Sequence, residues 1–151
     1  MTQSTQRAAG RLLIWVPVLV LFLAVFFGGS GPSGFAHDRA RIVAGAAILA
    51  AGYLSFFVMM IATGSGRKNA GTVRDERDDR IESRSAGLTL SVCLAYVFVV
   101  SIGLWTVFQD EGAVPAGWLW FLAYTTIFLS MIVHAAAVLS SGRGGGTDGE
   151  G

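Results

Sequence analysis

Hydrophobic positions along the chain fall into four uninterrupted runs, residues 12–29, 42–63, 86–108 and 115–139, and no Asp, Glu, Lys or Arg occurs inside any of them. At about 1.5 Å per residue the shortest run spans about 27 Å as a helix, close to the ~30 Å hydrocarbon core of a bilayer. Polar positions gather between the runs and at the two ends. The pattern predicts an all-α integral membrane protein, a bundle of four transmembrane helices. Its divisions are a cytosolic N-terminal segment 1–11, a membrane domain 12–139 with a charged cytosolic segment 64–85 between the second and third helices, and a disordered Gly-rich tail 140–151. Composition agrees: 53% of the 151 residues are hydrophobic and mean hydropathy is +0.59.

Charge adds an orientation. Nine of the eleven Lys and Arg residues (Arg7, Arg11, Arg67, Lys68, Arg74, Arg77, Arg80, Arg84 and Arg143) lie before the first helix, between the second and third, or after the fourth. Only Arg39 and Arg41 occupy the first connection, and the third carries Asp110 and Glu111. The positive-inside rule then predicts a multi-pass protein of the cell membrane with both termini in the cytosol. Trp105, Trp118 and Trp120 are expected at the outer interface, and Trp15 nearer the inner one. A competing reading takes Arg7 and Arg11 as the basic end of a signal peptide, cleaved near Gly34-Phe35-Ala36. The length of the first apolar run argues against it, and Pro17 inside that run kinks a helix without preventing insertion. The near-zero net charge of +1 excludes a nucleic-acid footprint.

Packing faces follow from small residues, which let helix backbones approach in lipid. In the second run Ala47 and Ala51 are four apart, as are Ala46 and Ala50, while Gly45 and Gly52 are seven apart. In the third, Gly87, Ser91 and Ala95 form a stripe. Two readings stand side by side: packing within one four-helix bundle, or the seam of a homodimer.

Polar groups inside the runs are few. Tyr53, Tyr96 and Tyr124 fall at similar depths, and Thr125 and Thr126 follow the last of them, which allows a shared hydroxyl layer that serves either as interhelical glue or as a weakly polar path. His134 is expected to make an interhelical hydrogen bond, since His37, its only counterpart, belongs to the opposite connection. The lone Cys93 rules out an intrachain disulfide. No phosphate loop, dinucleotide fingerprint, zinc-type spacing or nucleophile elbow occurs, so no catalytic residue, metal site or cofactor is expected and the chain does not read as an enzyme. The absence of a carboxylate from the first run also separates it from small multidrug transporters.

The connection 64–85 divides in two. Residues 64–71 read as a flexible linker. From Thr72 onward the spacing predicts a helix, opened by Thr72 with Asp75 as a capping box and continuing into the third span. At 100° per residue Arg74, Arg77, Arg80 and Arg84 fall on one side, and Asp75, Asp78, Asp79 and Glu82 on the other, with Glu76 paired to Arg80 four residues on. Such a surface suits anionic headgroups, a second copy, or a cytosolic or membrane protein partner. Asp75-Glu76-Arg77-Asp78, followed by Ile81 and Arg84 just before the third span, resembles a prokaryotic family of small four-helix membrane proteins of unknown function. The resemblance implies that the charged segment is the functional surface and brings no activity or catalytic residue with it. The leading expectation is therefore a non-enzymatic accessory or regulatory membrane protein acting through residues 72–85. The alternative is a small homodimeric transporter or channel using Tyr53, Tyr96, Tyr124 and His134.

Overall fold

The computed structural model describes residues 3–29, 31–64 and 76–143. They form α1 (Gln3–Phe27), a short α2 (Gly31–Phe35), α3 (Arg39–Gly64), α4 (Glu76–Phe108), a 3-10 turn at Gln109–Glu111, and α5 (Ala116–Arg143). Four of them, α1, α3, α4 and α5, are long and apolar enough to cross a membrane. Each extends beyond its apolar run, because a helix satisfies its own backbone groups in the interface as well as in lipid. Helix α1 continues through Pro17. An even number of crossings brings both ends of the described chain to one face, called here the termini end.

Packing does not follow chain order. Helix α1 packs on α3 and α5, and α5 packs on α4, so the helices run α3–α1–α5–α4. The consecutive helices α3 and α4 stand at opposite ends of that order. The interior pair meets through aromatic residues seven and four apart on α1, Trp15, Phe22 and Phe26, packed on Phe121, Tyr124 and Phe128 of α5. That spacing keeps one stripe facing its neighbour, as in other near-parallel helix seams. Phe22 stacks on Tyr124 with ring centroids 4.9 Å apart and planes 6° from parallel.

Trp15 lies near the start of the first apolar run, toward the termini end. It is fully buried, 5.1 Å edge-on from Tyr53 and 6.0 Å from Phe128, because a large aromatic fills the volume where α1, α3 and α5 converge. Trp105 and Trp120 are exposed, and Trp118 packs on Phe26 and Phe108. Helix α1 supplies half of the buried aromatic cluster Trp15, Phe22, Phe26, Phe35, Tyr124 and Phe128, so a cut after Ala36 would remove much of the core.

The small-residue stripes also differ from expectation. Ala47 and Ala51 are exposed, as are Gly87, Ser91 and Ala95, and a Cβ built at Gly87 meets nothing within 4 Å. These stripes do not pack the helices of one chain together. Close approach belongs to Gly45 and Gly52, where a Cβ would lie 3.5 Å from Phe35 and 3.2 Å from Trp15. The tightest approach is at Gly117, where a Cβ would stand 2.1 Å from the carbonyl oxygen of Pro32 in α2. The α1–α2 reversal passes through Gly31 at φ +73°, a conformation that a residue with a Cβ adopts at a cost.

Helix α3 starts from Asp38, whose Oδ1 accepts the backbone N–H groups of Ala40 (3.0 Å) and Arg41 (3.2 Å). The Arg41 side chain turns back to the end of α1. Its guanidinium donates to the carbonyls of Val25 and Phe26 and to that of Gly31, and lies 5.4 Å over the Phe35 ring.

Candidate functional site at the termini end

Helices α1 and α4 begin, and α5 ends, at the termini end. Arg7 and Arg11 lie four apart on α1, which sets them on one face, and His134 and Val138 do the same on α5. With Glu82 of α4 these side chains line a cavity of about 110 Å³, walled on its apolar sides by Ala8 and Ile81. The cavity therefore joins three helices. One of them, α4, carries the charged segment that precedes the third span.

Four ionisable groups face one another there. Glu82 attracts both Arg11 and His134, while Arg7 and Arg11 repel each other and Arg11 repels His134. The Arg11 guanidinium also lies 5.3 Å over the Phe56 ring of α3, and its Nε is buried without a hydrogen-bond partner among the described residues. A buried guanidinium N–H with no acceptor is costly, so its position is set by the surrounding contacts rather than by that bond. On the far side of the α4–α5 seam a second, wider cavity of about 320 Å³ is lined by Arg84, Ser85, Leu88, Ala137, Ser140 and Ser141.

Of the hydroxyl groups that the sequence set at one depth, Tyr96 and Thr125 meet across two helices. The Thr125 hydroxyl donates to the Phe121 carbonyl at 2.6 Å and lies 2.5 Å from the Tyr96 hydroxyl, which then donates to it. This bond ties α4 to α5. Tyr124 is instead stacked on Phe22, and Tyr53 stands against Trp15. The three tyrosine side chains thus have different neighbours, and of the three it is Tyr96 whose hydroxyl bonds across helices among the described residues. His134 is at the termini end, and His37 is in the exposed turn between α2 and α3 at the opposite one.

Of the charged segment, Arg80, Glu82 and Arg84 are exposed on the first turns of α4. Glu76, Arg77, Asp78 and Asp79 belong to the same helix by their backbone. Arg74, Asp75, the Thr72 capping box and the linker 65–71 lie outside the described residues. Among the described residues no group of three or more His, Cys, Asp or Glu could hold a metal ion. Arg7 and Arg11 are the members of the site that sequence reasoning passed over. Their four-residue spacing at the edge of an apolar run was the available signal, and the positive-inside count uses them only as charges.

No curated protein matches the chain, and no solved structure does. A family model does match, over residues 12–139, which takes in all four spans and the charged segment. The chain belongs to the family described as "Predicted membrane protein (DUF2178)", whose function is unknown.

Proposed function

We propose that this is a non-enzymatic accessory or regulatory protein of the cell membrane, with both termini and the charged segment in the cytosol, where the start of α4 receives a protein partner. The observation that carries this reading is the continuity of α4. It is one helix of 33 residues, Glu76–Phe108, about 50 Å long, against an apolar run of about 35 Å. About ten residues, 76–85, extend past the apolar run as an unbroken helical extension. A helix rigidly continuous with a membrane span holds its charges in fixed register, which a flexible loop does not.

The cavity at its base supports the same reading. Glu82 faces Arg11 and His134 there, which sets opposite charges on α4, α1 and α5 just where the extension leaves the apolar run. A partner that displaces Glu82 would move the extension relative to the other helices, and this is the means by which docking is transmitted.

A pull-down of tagged protein in mild detergent, wild type beside Arg77→Glu/Arg80→Glu, tests the role. A specific partner lost in the variant, with membrane insertion unchanged, is the expected result. A homodimer with no partner, unaffected by the variant, would contradict it and favour the transport alternative.

A further inference from the structure

We propose that the cavity between Arg7, Arg11, Glu82 and His134 is a binding site for a phosphate oxyanion, such as that of an anionic phospholipid headgroup. Among the described residues its lining carries two guanidinium groups against one carboxylate. Guanidinium groups suit phosphate, whose oxygens accept parallel N–H bonds from such a fork. The volume of about 110 Å³ is enough for one phosphate group.

Position narrows the source. The cavity lies at the termini end, beside the first turns of α1 and the point where α4 leaves its apolar run. This is the depth of lipid headgroups, and basic pockets between helices at that depth take anionic lipids. Ala8, Ile81 and Val138 offer an apolar wall beside the charges, which fits an acyl chain descending from the phosphate. Inorganic phosphate from solution presents the same oxyanion without that chain. Glu82 opposes either one, since its carboxylate occupies the electrostatic role that the ligand would take.

This inference does not depend on the accessory role. Native mass spectrometry of the full-length protein tests it, in zwitterionic phosphatidylcholine micelles titrated with dioleoylphosphatidylglycerol and separately with inorganic phosphate. The account expects phosphatidylglycerol adducts in preference to phosphatidylcholine. They should weaken about tenfold in Arg11→Gln, be partly retained in Arg11→Lys, and be unchanged in Arg39→Gln at the opposite end. Glu82→Gln should tighten binding several-fold, a gain that misfolding does not produce. Phosphate binding with the same variant pattern and no preference for phosphatidylglycerol would keep the site and assign it to the soluble ion. Binding of both probes that is indifferent to Arg11 and Glu82, or no binding of either, would overturn it.

Discussion

Arg41 reaches back across sixteen residues to Val25, placing Nε 3.1 Å and Nη2 3.0 Å from the Val25 carbonyl oxygen. The last carbonyls of a helix have no partner within it, and its C-terminal end carries partial negative charge. A guanidinium at that position satisfies both conditions, which gives Arg41 a structural reason to lie at the end of the bundle that otherwise holds few basic residues.

Arg41→Ala should therefore destabilise the fold by about 2 kcal/mol, the scale of hydrogen bonds to a charged donor. Arg41→Lys should recover less than half of that, because an ammonium keeps the charge but loses the planar fork. Thermal unfolding in detergent checks both. Equal stability of Arg41→Lys and wild type would show that charge alone is at work.

Two small-residue stripes should respond in opposite ways. Gly52→Leu drives a side chain into Trp15 and Val18, whose atoms would already lie 3.2 and 3.3 Å from a Cβ, and should cost about 1–3 kcal/mol. Ser91→Leu, on the exposed face of α4, should change monomer stability by less than about 0.5 kcal/mol. A crosslinked dimer lost in Ser91→Leu would show that its stripe serves a second copy.

The Tyr96–Thr125 bond gives a smaller effect. Tyr96→Phe removes one interhelical donor while Thr125 keeps its bond to Phe121, so the loss should be about 0.6 kcal/mol. The transport alternative requires more of this hydroxyl: a flux in proteoliposomes that falls with Tyr96→Phe. Unaltered or absent flux, with the small loss of stability, is the result expected here.

The spans were legible because charge is excluded from lipid, and the four uncharged runs leave little choice of helix. Facing was not legible, for a related reason. In water an apolar stripe marks the buried side, but in lipid both sides are apolar. Ala47 and Gly45 differ by two residues, about 200° around the helix, and both look suitable for packing. Only the matching side chains, Phe35 and Phe22 opposite Gly45 and Trp15 opposite Gly52, decide between them. The site was half legible for a different reason. Glu82 stood out as part of the charged segment and His134 as the one imidazole inside an apolar run, whereas the order α3–α1–α5–α4, which brings Arg7 and Arg11 to them, is a property of packing that no local pattern encodes.

The most direct measurement is accessibility along the extension of α4. A single cysteine at Ser83, in a Cys93→Ser background, would be labelled with an impermeant thiol reagent in inside-out native membranes and, in parallel, after purification into nanodiscs. The proposed docking role predicts slow labelling in native membranes and rapid labelling once the protein is alone. Equal labelling in both would show that nothing covers this surface in the membrane and would contradict the role.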